Sequence, residues 1–381
     1  MSVADPGESA RSTLAAALPG LIDLSHRIHA SPEPGNEERL ASGWLADALE
    51  SAGFQTRREV LGMPTAVAGS VGQGPLHVVI CAEYDALPEV GHACGHNIIC
   101  AAGLGAGLAL APLAEDLGLR VTVVGCPAEE GGGGKVTLVD GGFFDDVHVA
   151  LMVHPWPHDV AEPALIAIRG LTVTYRGKEA HAAAFPHLGI NAADAQVVAQ
   201  TAIALLRQQL LPSDRVHGIV THGGDAPNVI PAQTRASYMV RATTRERMDE
   251  VGALVRRCFE AGALATGAEL EVVEEVAYSD MRHDHELAAI YQRHAESLGR
   301  SFGDEASMPV STDMGNVSHL VPAIHPMIGI DAGGAVNHQP AFAAACVTPS
   351  ADQAISDGAL AMALTVIEAA CDKGVRSRLL G

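Results

Sequence analysis

The stretch LHVVICAEYDALPEVGHACGHNIICAAGLGAGLAL, residues 76–110, decides the fold. Its first nine residues are almost wholly apolar and rich in β-branched types, the composition of a strand buried on both faces. A polar loop with Pro and Gly follows. From Asn97 to Ala114 the chain is a run of small apolar residues, closed by Glu115 and Asp116, which predicts a buried helix rather than a membrane span. Outward from here the texture repeats. Short β-rich segments stand at AVAGSVG (66–72), RVTVVGCPA (120–128) and VHVALMVHP (147–155), behind two amphipathic helices at about 12–29 and 37–52. Strands alternating with helices predict an α/β sheet covered by helices on both faces.

Near Ala164 the pattern changes. Strand 164–181, helix 191–209, strand 235–243, helix 245–263 and strand 269–278 give a βαββαβ-like order with one strand unassigned, an inserted α+β unit of ferredoxin-like type. The expected division is 1–167 with 283–381 for the main domain and 168–282 for the insertion. A long final helix, SADQAISDGALAMALTVIEAACDK (350–373), resumes the first pattern.

Composition narrows the function classes. The chain has 381 residues, 48% of them hydrophobic, and 40 glycines, enough for a large core. A formal net charge of −21 repels phosphate backbones and anionic membranes, so neither is an expected partner. Seven scattered cysteines and an acidic start, MSVADPGESA, point to reduced thiols in a cytoplasm.

Polar residues gather at the ends of the apolar strands, where open α/β sheets build their sites. Asp85, Cys94 and His96 follow one strand, Glu129 and Glu130 the next, His154 the third. Cys, His and carboxylate together suit a divalent cation such as zinc. Capping and turn chemistry at a helix start is the alternative reading of GHACGHN. The absence of any Cys-x-x-Cys counts against a structural zinc site, and EEGGGGK (129–135) lacks the first Gly and the Ser or Thr of a phosphate loop. Adjacent residues on extended backbone point to opposite sides, so one of Glu129 and Glu130 can face a metal while the other faces substrate.

GHACGHN, PAEEGGGGK, HPWP, GKEAHAAAFPHLGINA, STDMGNVS and NHQPAF, in this order, resemble the metallopeptidase family of aminoacylases, glutamate carboxypeptidases and amidohydrolases, and most of all its aminobenzoyl-glutamate hydrolase and dipeptidase-like branch. With the opening HRIHASPEPGNEE the resemblance spans essentially the whole chain. It implies a metal-dependent exopeptidase-like catalytic sheet interrupted by a lid or dimerisation domain, two divalent metal ions, zinc or manganese with cobalt as an option, and a homodimer formed through the insertion. It implies Cys94, His96, Glu130, His154 and His338 as ligands, Cys94 as the bridge, and Glu129 as general base. Asp85 becomes the residue that orients a ligand. His181 would steady the oxyanion, and Asn228 with Arg241 would hold the substrate carboxylate. The chain departs from the carboxypeptidase-type relatives at CAEYDALP, where Glu83 stands in place of a ligand histidine. His92, outside the set, has a loop role or a direct one. The implied activity is metal-dependent hydrolysis of an N-acyl, N-aroyl or β-alanyl amide of an amino acid. The alternatives are a dipeptidase needing a free substrate amino group and a non-catalytic binding protein of the same fold.

Overall fold

The computed structural model describes residues 5–303 and 309–381. The chain separates into two compact units, Met1–Ala164 with Met281–Met308 and Asp313–Gly381, and Leu165–Asp280 with Pro309–Thr312. The division read from the sequence, 1–167 with 283–381 and 168–282, leaves Pro309–Thr312 in the main domain. Pro309–Thr312 joins the second unit because Ile166 N donates to Val310 O (2.9 Å) and Arg241 Nη1 to Pro309 O (3.3 Å).

The first unit opens with α1 (Pro6–Ala30) and α2 (Arg39–Ser51), then β1 (Gln55–Arg58), β2 (Val67–Val71), β3 (Leu76–Glu83), α3 (His96–Leu110), β4 (Leu119–Cys126), α4 (Gly134–Asp140), β5 (Val149–Leu151) and β6 (His154–Trp156). The second unit follows as β7 (Ala167–Arg176), α5 (Ala192–Leu206), β8 (Arg215–His222), β9 (Gln233–Ala242), α6 (Arg245–Thr266) and β10 (Glu269–Tyr278). The chain then returns to the first through α7 (His285–Ser297), α8 (Met314–Ser318), β11 (Ala323–Ile324), β12 (Met327–Gly329), α9 (Pro340–Ala345), α10 (Pro349–Cys371) and α11 (Lys373–Leu380).

Six strands of the first unit form one sheet in the order β1-β2-β4-β3-β5-β11. The four strands β4, β3, β5 and β11 run parallel, so their carboxyl ends share one edge, and β2 and β1 extend the sheet antiparallel. Every residue of β3 is buried. The helix after it, α3, is buried on all sides, with Leu108 alone less covered. Its small residues make that possible: a Cβ on Gly107 would stand 2.3 Å from Val123 Cγ2 of β4. Together with α1 and α10 it fills the core against the sheet. Extended by the 3-10 turn that follows, this helix is long and apolar enough to cross a membrane, as is α10, yet each has 83% of that window inside the protein. Burial between protein layers accounts for both.

The second unit is an antiparallel sheet in the order β10-β7-β9-β8 with α5 and α6 packed on it, a ferredoxin-like arrangement. Along β9 the buried side alternates residue by residue, as expected for a sheet with one covered face. Asn191 and Thr244 cap α5 and α6 through their side chains. The strand β8 is an addition to the elements expected from sequence. It is an edge strand, exposed along most of its length, and lacks an apolar run.

Candidate metal centre

The carboxyl edge of the parallel strands carries the charged residues. Glu83 ends β3, Asp85 follows it, Glu129 and Glu130 lie past β4, and His154 begins β6 just past β5. His96 opens α3. The turn ahead of it depends on Gly95, which adopts φ 75° and whose absent Cβ would stand 2.4 Å from Pro155 Cγ. Asn97 fastens this helix start, its Nδ2 donating to Ser25 Oγ (2.8 Å) and Cys346 O (2.9 Å). His338 is brought in from the far end of the chain because its backbone N donates to Ala93 O (2.9 Å).

Three groups of ligand atoms meet there, each with all members within 4.8 Å of one another: Cys94, His96 and His154; Cys94, Glu130 and His338; His96, Glu129 and Glu130. Cys94, His96 and Glu130 each belong to two of them. The residues also fit a metal by what they lack. Glu83 Oε2, His96 Nε2 and Glu130 Oε1 are buried without a hydrogen-bond partner, although Glu83 Oε2 and Glu130 Oε1 lie 3.5 and 3.8 Å from His96 Nε2. Buried polar atoms are rarely left so unless an ion or water takes them.

The surrounding bonds set ligand orientation. Asp85 Oδ1 lies 2.8 Å from His96 Nδ1, and its Oδ2 accepts from Glu130 N (3.0 Å), so a single carboxylate aims one ligand and fixes the backbone of another. His154 Nδ1 lies 2.9 Å from Pro155 O, which leaves Nε2 for a ligand role. His338 Nε2 is 3.1 Å from Cys94 Sγ.

Charge and burial act strongly here. Burial pushes the Cys94 thiol up against the opposing pull of His96, with Glu130 and Glu129 adding to the rise, so a thiolate there needs a cation beside it. Burial raises Glu129 well above the usual carboxylate range, and Glu83, Glu130 and Asp313 push the same way. For His96 burial acts downward, but Asp85, Cys94 and Glu83 outweigh it and hold the ring well above its ordinary value. Burial takes His154 down to about 4 and His92 to about 3. His92 is buried but belongs to none of the three groups, with its ring 6.0 Å from that of His29.

Three residues to which the sequence assigns no role support the centre. Lys135 is fully buried, its Nζ bonded to Glu83 Oε1 and to Asp313 Oδ1 (2.5 Å), while Asp313 Oδ2 accepts from Lys135 N (2.9 Å). Glu38 is also buried. It accepts from Ala128 N (2.8 Å) and Thr65 Oγ1 (2.8 Å), which holds Ala128 at φ 56° immediately before Glu129. Glu83 is thereby a salt-bridged carboxylate with one oxygen still facing His96.

The remaining expected residues lie in the second unit. His181 and Asn228 come together, since Ala182 N donates to Asn228 O (3.0 Å) and His181 bridges antiparallel to Val229. Arg241 sits apart on β9, half-buried, with Nη1 directed to Pro309 O and Ser311 Oγ (3.4 Å).

Residues 167–266 match the peptidase dimerisation domain of the M20 type. The chain is 37% identical over 366 residues to the Xaa-Arg dipeptidase of Mus musculus, covering 91% of this chain and 84% of that protein. It is 35% identical over 292 residues to one of the p-aminobenzoyl-glutamate hydrolase polypeptides of Escherichia coli (strain K12), covering 71% and 61%. Among solved structures, the Bacillus subtilis YXEP protein, described as a dinuclear metal-binding peptidase of the M20 family, superposes with a TM-score of 0.70 over 93% of this chain and 99% of that one, at 21% identity.

Proposed function

This chain belongs to the M20 peptidase family, an established family of amide-bond hydrolases, and on that premise we propose that it hydrolyses the amide bond of an N-acyl, N-aroyl or β-alanyl amino acid, with Glu129 as general base. The observation that carries the reading is the convergence of three ligand groups on Cys94, His96 and Glu130, with Glu129 among them. Cys94, His96, Glu130, His154 and His338 would hold two divalent ions, zinc or manganese, with cobalt compatible with the same donors. Such ions, when bound, supply Lewis-acid activation of water and of the amide carbonyl.

The rest falls to the chain's own side chains. Glu129 takes a proton from the attacking water and returns it to the departing amine nitrogen. Asp85 keeps His96 in one tautomer and one orientation. His181 would donate to the carbonyl oxygen as it gains charge, and Asn228 and Arg241 would bind the substrate's carboxylate.

A dipeptidase proper is the second reading, favoured by the similarity to a protein that carries that name. A panel of aminobenzoyl-glutamate, N-acetyl amino acids, β-alanyl dipeptides and Xaa-Arg dipeptides, run on metal-loaded protein, separates the two: cleavage confined to the Xaa-Arg dipeptides, the substrates with a free α-amino group, would establish the dipeptidase. Cleavage of none would overturn both. The dimerisation-type domain and the exposed edge of β8, with Ile219 67% exposed, support a homodimer formed through the second unit. The free state of all seven cysteines supports a reducing, cytoplasmic location.

A further inference from the structure

His181 opens the loop HAAAFPHL, residues 181–188, and is exposed. Its Nδ1 accepts from two backbone N–H groups, those of Ala183 (3.3 Å) and Ala184 (3.2 Å). The turn that presents them is closed by Phe185 N donating to His181 O (2.9 Å). On the other side the bridge to Val229 and the bond from Ala182 N to Asn228 O fix the strand that carries the ring.

A backbone N–H can only donate, so the nitrogen that receives two of them must present its lone pair. In a neutral imidazole the single ring hydrogen then sits on Nε2. We propose that the Ala183 and Ala184 amides are positioning groups that lock His181 as the Nε2–H tautomer, so that it serves the hydrolysis as a hydrogen-bond donor through Nε2 to the substrate's carbonyl oxygen. The catalytic half of this inference rests on the function proposed above; the tautomer does not. The proton count closes without His181. Water's oxygen bonds the carbonyl carbon, Glu129 takes the proton, and the same proton reaches the amine nitrogen as the C–N bond breaks. His181 ends the cycle with the hydrogen it began with, having stabilised charge on the oxygen.

The test reads the ring nitrogens directly. Full-length protein labelled with 15N at histidine is examined near neutral pH by two-bond 1H–15N correlation, and His181 is assigned by the signals lost in His181→Gln. Nδ1 should appear as an unprotonated acceptor nitrogen and Nε2 as a protonated one. A hydrogen on Nδ1, or rapid averaging between tautomers, would overturn the lock. The catalytic half is read from His181→Ala and His181→Gln, since the glutamine amide can donate from nearly the place of Nε2 but carries no acidic ring hydrogen. His181→Ala should lower kcat/KM by about 10²–10³, the worth of an oxyanion donor, and His181→Gln should recover at least about tenfold of that. Equal loss in both variants would overturn the donor role. Absence of hydrolysis by the unaltered protein would sink the hydrolase reading while the ring spectrum still decides the tautomer.

Discussion

Replacing Lys135 with methionine should destabilise the first unit more than any surface change. The ammonium lies between Glu83 and Asp313, and all three side chains have no exposed surface. Methionine keeps the volume of the stem but takes the ammonium from between two buried carboxylates, in a pocket that already holds Asp85, Glu129 and Glu130. Breaking a buried charge set by removing one member costs about 3–5 kcal/mol. For a unit of this size each kcal/mol moves Tm by roughly 2–4 °C, so Lys135→Met should melt roughly 6–20 °C lower. Scanning calorimetry on metal-free protein gives the shift. The charge-free combination Lys135→Met with Glu83→Gln and Asp313→Asn should recover most of it, because removing a whole buried ionic set is often neutral. A single variant that melts within about 2 °C of the parent would refute the claim that these charges are coupled and dry.

Glu129→Gln should retain metal while kcat falls by about 10²–10⁴, whereas Glu130→Gln should lose metal affinity; metal analysis beside rate measurement separates the two, and the reverse pattern exchanges their roles. Cys94→Ser should lower metal content and activity together, since an alcohol is a poorer ligand than a thiolate, and unchanged stoichiometry would remove Cys94 from the set. Burial depresses His154 from its ordinary 6.5 to about 4, so its contribution to stability is complete above about pH 6.5 and is lost as pH falls toward 4. Urea midpoints of metal-free His154→Gln should therefore decline less steeply than those of the parent across that window, and parallel slopes would count against the burial argument.

The apolar patterns exposed the fold wherever burial is two-sided. β3 and β4 read as continuous apolar runs, and α3 as a run of small residues, because protein covers each of them on every side. β8 escaped because an exposed edge strand needs no apolar pattern, and Pro309–Thr312 because two hydrogen bonds, to Ile166 and Arg241, decide its unit. At the centre, Cys94, His96, Glu129, Glu130 and His154 stood out as metal-type residues at strand ends, and the family resemblance added His338. Lys135 did not stand out. A lysine beside four glycines reads as an exposed loop cation, and only the fold reveals that Glu83 and Asp313, far from it in sequence, surround it. Glu38 was equally hidden, since its partners Thr65 and Ala128 are brought to it only by tertiary packing.

The central claim is that amide hydrolysis depends on metal held by Cys94, His96, Glu130, His154 and His338. It is tested most directly by stripping the protein with a chelator and titrating zinc or manganese back while following bound metal and amide hydrolysis in the same samples. Two ions per chain should bind, and activity should return in step with them. Full hydrolysis by the stripped protein, or activity that returns without bound metal, would contradict the account.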